Sequence, residues 1–274
     1  MPPVTIDSTE LVTALYEHIL GRTADGLAEE KARRLAAGEV SANGLVREFA
    51  VSDEYQNRIL EHQRFTADHT QFGEFEILLK RLCMFGCSSR TVVDVGARGR
   101  ARSNSYDLMN VFGWRGILIE ANPRLIPEIR ADFAGLDLGV IECAVSDYEG
   151  SARFHIGIND DVSSLSRESA GAWGEVQGEI EVQVRRLEGI LVEMGVPHDF
   201  GVLSIDLEGE DVKVLNDLIG GGRYLPQWVI IEASHDFSVN SLRQLPVIPR
   251  VLDTYRIVGQ TRANLILERQ TETT

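Results

Sequence analysis

The chain has 274 residues, with 27 Lys and Arg against 42 Asp and Glu, a formal net charge of −15. Its 43% hydrophobic and 25% charged residues are enough to build a core, which excludes a compositionally disordered chain. The acidic balance excludes a general binder of nucleic acid or anionic membrane, because those partners need a basic footprint to displace counterions.

The length suits one large domain, or one domain with a small companion. Cys83, Cys87 and Cys143 are too few, and odd in number, for a disulfide framework, which points to a reducing compartment and a cytoplasmic protein. The opening residues, Met1 to Thr5, lack the cationic head and apolar run of a signal peptide. No apolar run approaches the ~18 residues of a membrane span, so no membrane insertion is expected. Cys83 and Cys87 share a helix face but have no second Cys/His pair at a metal-binding spacing, so they read as buried small apolar residues.

Residues 1–65 read as a small all-α domain of short helices. Asp7 and Glu10 have capping-box spacing, with Leu11, Leu15 and Ile19 following on one face, and the turn at 21–26 stops the helix. A second helix runs from Leu27 to Ala37, Ser41 caps a third carrying Leu45 and Phe49, and Ser52 caps a fourth carrying Tyr55 and Ile59. Singly these pieces are too short to be stable, so they must pack together. Leu20-Gly21-Arg22, Asp25-Gly26, Leu35 with Gly38 and Ser52-Asp53-Glu54-Tyr55 resemble the helical module of phycobilisome-linker-like segments, also seen beside bacterial surface-polysaccharide enzymes. That resemblance implies protein docking or packing rather than chemistry.

Residues 66–89 are predicted to hold a connecting helix, and 90–274 an α/β domain. The runs 91–95, 116–120, 139–145, 201–206 and 228–233 are short, apolar and spaced by helix-sized segments, the pattern of buried parallel strands with right-handed crossovers. Two further strands around the polar turn at 261–264 predict a C-terminal antiparallel hairpin. The fold class is therefore a Rossmann-like, doubly wound, mostly parallel seven-stranded sheet, preceded by the small all-α domain.

The segment VVDVGARGR, with Asp94, Gly96, Ala97, Arg98 and Gly99, ends a strand in a Gly-rich turn where a ligand can meet free backbone N–H groups. It does not meet the dinucleotide fingerprint GxGxxG, which disfavours a nicotinamide-dependent oxidoreductase. Glu120 closes the next strand, 26 residues after Asp94, where a carboxylate can accept both hydroxyls of a ribose. The two together point to a nucleoside-like ligand.

These segments, with SNSYDLMNVFGWRGILIEANP, ECAVSDYEGSARF, DDVSSL, VQVRRLEGIL, VLSIDLEGEDVKVL, WVIIEASH and NLILER, resemble the FkbM family of class I S-adenosylmethionine-dependent methyltransferases over about residues 90–269. The resemblance implies S-adenosyl-L-methionine as cofactor, with Asp94, Gly96 and Ala97 in the binding turn, Glu120 on the ribose and Ala144, Val145 and Ser146 lining the adenine. Arg98-Gly99-Arg100 departs from the commoner Asn-x-Gly turn, and Ser103 and Ser105 at the next helix start are candidates for the methionine end. Ser163 and Ser164, in the aperiodic stretch 160–179, are candidate cofactor contacts, and Trp173 a candidate stacking surface.

Methyl transfer to a hydroxyl needs orientation and a group to take the proton. Asp206 ends the fourth strand at the ligand crevice, Glu208 follows it, and the fifth strand ends at Glu232 with His235 beyond. Asp206, Glu208 and His235 are the candidate catalytic residues. A divalent cation held by Asp206, Glu232 and His235 is the alternative, disfavoured because no acidic pair occurs at the end of the fifth strand. Glu210 and Asp211 read as favourable charges at a helix N-terminus. The implied acceptor is a hydroxyl on a sugar, glycan or natural product; the other reading is a non-catalytic methyltransferase-like scaffold or ligand sensor.

Overall fold

The computed structural model describes residues 7–55, 68–158, 162–233 and 237–270, in two compact units, Met1–Ala67 and Asp68–Thr274.

In the first unit, Asp7 caps helix α1 (Ser8–Leu15) by accepting from the amides of Thr9 at 2.7 Å and Glu10 at 3.0 Å. The helix runs on as a single π turn, Tyr16–Leu20, and Gly21 stops it in the left-handed conformation that glycine adopts without a Cβ clash. Helices α2 (Ala28–Ala36) and α3 (Ala42–Ala50) follow, and Ser41 caps α3 through the Gly44 amide at 3.0 Å. Val12, Leu15, Tyr16, Leu20, Leu45, Phe49 and Tyr55 form their common core, the burial that such short helices need. Ser52 accepts from the Tyr55 amide, while Ile59 of the expected fourth helix lies outside the described residues.

The second unit opens with helix α4 (Glu74–Phe85) and carries a seven-stranded sheet. Its strands are β1 (Thr91–Val95), β2 (Arg115–Glu120), β3 (Leu138–Glu142), β7 (Val202–Ile205), β8 (Trp228–Glu232), β9 (Tyr255–Gln260) and β10 (Asn264–Arg269), in the order β3-β2-β1-β7-β8-β10-β9. The first five are parallel; β10 runs antiparallel to β8 and to β9, as the predicted hairpin requires. Alternate residues feed two cores. Val93, Ile117, Leu203, Val229 and Leu265 face helices α8 (Leu187–Glu193) and α9 (Asp211–Gly221). Val92, Leu118, Val202, Ile230 and Ile266 face α4, α5 (Tyr106–Phe112) and α6 (Ile126–Asp132). Burial on both faces explains why these strands read as continuous apolar runs.

Three expectations are corrected. The run 139–145 is not one strand: β3 ends at Glu142, and Ala144–Val145 (β4) join a second, three-stranded sheet with β5 (Gly150–Ile156) and β6 (Gly178–Arg185). The change of sheet turns the chain across the carboxyl edge, so that residues 143–145 face the same space as the ends of β1 and β2. The stretch 160–179 is not wholly aperiodic, since it holds a short helix, α7 (Arg167–Ala170), and the start of β6. Cys83 is exposed and Cys87 half-buried, because the last turn of α4 outlasts the core and leaves Met84 and Phe85 exposed as well. Among the described residues, no helix is long and apolar enough to cross a membrane.

Candidate active site

Each parallel strand of the large sheet ends at one edge, and β10, running the other way, begins there. A cavity of about 530 Å³ lies along that edge. Its two ends are chemically different.

At one end the cavity is lined by Asp94, Gly96, Ala97, Arg98, Ser103, Asn104, Glu120, Ala144 and Val145. Gly96 has a φ of 84°, and a Cβ there would collide with the main-chain oxygen of Asp206. The amides of Gly96 and Ala97 both donate to the Ile119 carbonyl, at 2.9 and 3.0 Å, which draws the turn down over β2. Asp94 is a buried carboxylate whose strand partner in register is Ser204. Burial raises its pKa, and hydrogen bonds from Ser105 (2.6 Å) and Ser204 pull it back. Asn104 in turn donates to Ser204 at 3.1 Å, so a network of small polar groups orders the mouth of α5. Glu120 is nearly buried, with Oε1 anchored by the Asn122 amide at 2.6 Å. A glycine cradle beside a strand-end carboxylate fits an adenosyl group.

Four of the residues expected at the cofactor, Ser105, Gly99, Ser146 and Ser164, do not line the cavity. The Ser105 hydroxyl is spent on Asp94. Gly99 sits against the carboxylates of Glu128 and Asp132, where a Cβ would come within 2.7 Å of both. Ser146 is fully buried and donates to Glu210 at 2.6 Å. Ser105 and Ser146 thus hold cavity-lining carboxylates from behind. Ser163 lines the cavity, whereas Ser164 donates to the Glu208 carbonyl at 2.8 Å.

At the other end stand Asp206, Glu208 and Glu232, with the walls Gln71, Phe72, Arg262 and Asn264; Trp173 also lines the cavity. Carboxylate oxygens of Asp206, Asp211 and Glu232 all lie within 4.8 Å of one another. Asp211 accepts from the amides of Leu207 at 2.8 Å and Gly209 at 3.0 Å, so it ties the loop after β7 as well as opening α9. Ser164 holds that loop from its other side, and Glu208 takes a φ of 52° within it, a strained conformation at a site-lining residue. Burial and then the Glu232 charge push Asp206 well above the carboxylate range. Burial and the charges of Asp211 and Glu208 push Glu232 up to about 8; burial pushes Asp211 up to about 6 against its two amide bonds. Like charges this close hold either a shared proton or a cation.

The carboxylates meet between the ends of adjacent strands, β7 and β8, and not as a pair along the fifth parallel strand. His235 lies outside the described residues. Ser204 and Asp211 were not selected as site residues, although a polar residue inside the apolar run VLSI, in register with Asp94, was a usable signal. Gln71, Phe72, Arg262 and Asn264 carried none, since they come from the two ends of the domain.

Residues 94–250 match the family model described as the methyltransferase FkbM domain. No curated protein matches the chain. Among solved structures, the chain is similar to a mutant of MtNAS crystallised in complex with S-adenosylmethionine, at 16% identity over 97% of this chain and 93% of that one. The TM-score is 0.37, at which the likeness carries no argument.

Proposed function

The chain belongs to the family of proteins that carry the methyltransferase FkbM domain, and we propose that it transfers the methyl group of S-adenosylmethionine to a hydroxyl of a sugar, glycan or natural product. The observation that carries this is one cavity lined both by the glycine turn with the strand-end Glu120 and by the clustered carboxylates of Asp206 and Glu232.

Gly96 and Ala97 form the floor under the adenosyl group, Glu120 accepts from the ribose, and Ala144 and Val145 line the adenine. When bound, S-adenosylmethionine supplies an electrophilic methyl group on a sulfonium. That methyl group would be open to in-line attack by the acceptor oxygen, with a neutral thioether as the leaving group. Asp206, with Glu232 beside it, takes the hydroxyl proton, and Glu208 orients the acceptor from the same loop. His235 is a further candidate for the same proton. The ring of Phe72 offers an apolar face at the carboxylate end, and the indole of Trp173 another in the same cavity, a mixture that suits a neutral polyol.

Calorimetric titration with S-adenosylhomocysteine tests the cofactor; no binding by the wild-type protein overturns the reading. Labelled S-adenosylmethionine with a panel of methyl glycosides then tests the acceptor. Activity should survive dialysis against EDTA, and loss restored by Mg²⁺ would assign the carboxylate trio to a cation instead.

A further inference from the structure

Glu74 is a fully buried carboxylate that does not line the cavity, and its charge is the weakest of those that raise Asp206. It stands at the first position of α4. Its Oε1 accepts from the Thr261 hydroxyl at 2.5 Å and the Asn264 amide nitrogen at 2.8 Å; its Oε2 accepts from the Phe72 backbone N–H at 3.0 Å. Two segments almost 190 residues apart in sequence, 70–73 and 261–264, are therefore tied to one carboxylate.

Both segments line the acceptor end. Gln71 and Phe72 come from the first, Arg262, Ala263 and Asn264 from the second, and the Arg262 guanidinium lies 5.8 Å from the centre of the Phe72 ring. Asn264 pairs in register with Glu232, and the Ala233 amide donates to the Ala263 carbonyl at 2.9 Å. A second buried carboxylate, Asp107, accepts from the backbone N–H of His69 at 2.9 Å and contacts its ring at 2.8 Å, which fixes the far side of the first segment.

A buried carboxylate is an expensive choice when glutamine fills the same volume. Only the carboxylate accepts on both oxygens; a glutamine would turn its NH₂ towards at least one of the three donors. The hydrogen-bonding demand of this junction therefore selects glutamate.

We propose that Glu74 is a positioning residue for the methyl acceptor, locking segment 70–73 to the 261–264 turn so that Phe72, Arg262 and Asn264 form one preformed wall beside Glu232. The inference rests on the reading of that end of the cavity as the acceptor site. It predicts a division of effects: the acceptor is misplaced, while the adenosyl end, built by β1 and β2, is untouched.

The test compares wild type, Glu74→Gln and the double variant Glu74→Gln/Asn264→Asp, in which the new amide can donate to the new carboxylate. On whichever methyl glycoside of the panel the wild type methylates, Glu74→Gln should raise the acceptor KM about tenfold or more. The KM for S-adenosylmethionine and the affinity for S-adenosylhomocysteine should change less than twofold; because Asn264 is itself part of the wall, the double variant is read by hydrogen exchange, where protection of 70–73 and 261–264 should return. An unchanged acceptor KM overturns the proposal, as does a parallel loss of cofactor affinity. If the wild type binds S-adenosylhomocysteine but methylates none of the panel, the glycan reading fails by itself. Hydrogen exchange then decides on Glu74: selective deprotection of 70–73 and 261–264, reversed in the double variant, supports the lock, and unchanged protection overturns it.

Discussion

Asp206 at the end of β7 and Glu232 at the end of β8 bring carboxylate oxygens within 4.8 Å of each other, and burial raises the pKa of both. The pair therefore keeps a proton to higher pH than ordinary carboxylates do. A base that must first lose this proton gives a methyl-transfer rate that climbs with pH above the ordinary carboxylate range. Replacing Glu232 by Gln removes the charge that holds Asp206 up, so the rising limb should move to lower pH. Asp206→Asn should lower kcat by about 10²–10⁴-fold, the usual worth of a positioned base. A pH–rate profile of the three proteins checks this.

The same pair sets a stability dependence of definite sign. The folded-state pKa of Glu232 lies above the usual glutamate value, so the folded chain binds more protons than the unfolded one between the two. The stability this gives is fully present below the unfolded pKa and is lost as pH rises to about 8. Glu232→Gln should therefore melt higher than wild type at pH 8.5, by about 2–4 °C for each kcal/mol relieved, and the two should converge near pH 4. Thermal melts across that range measure it; a variant that melts lower at pH 8.5 contradicts the assignment.

Glu120 is expected to matter for the cofactor and not for the fold. Its carboxylate has one oxygen anchored by the Asn122 amide and stands at the cavity. Hydrogen bonds to a charged group are worth about 1.5–3 kcal/mol, so Glu120→Ala should weaken S-adenosylhomocysteine binding by roughly ten- to a hundredfold. Calorimetry beside a far-ultraviolet spectrum separates lost binding from lost structure.

Gly96→Ala should be more damaging than the added methyl group suggests. A φ of 84° disfavours any Cβ, by roughly 1–2 kcal/mol, and the new carbon would strike the main-chain oxygen of Asp206. The collision links the cofactor turn to the proton-accepting loop. Binding of S-adenosylhomocysteine should be lost, with a melting temperature lowered by about 4 °C or more.

Much of the fold was legible in the sequence because its signals are local. The apolar runs of β1, β2, β7 and β8 announce strands buried on both faces, and Asp7, Ser41 and Ser52 announce helix starts through caps within three residues. Strand ends are equally local, so Asp94, Gly96, Glu120 and Asp206 were found at the crevice from the order of residues along single segments. What the tertiary structure decided is pairing between segments. It placed Glu232 beside Asp206, turned Ser105 and Ser146 away from the cavity onto Asp94 and Glu210, moved Ala144 and Val145 into a second sheet, and drew Phe72 and Asn264 together on Glu74. The physical reason is common to all of these. Strand and helix propensities act over a few residues, whereas hydrogen bonds and charge repulsion among buried groups depend on which strand lies next to which, and that follows only from burying the whole sheet at once.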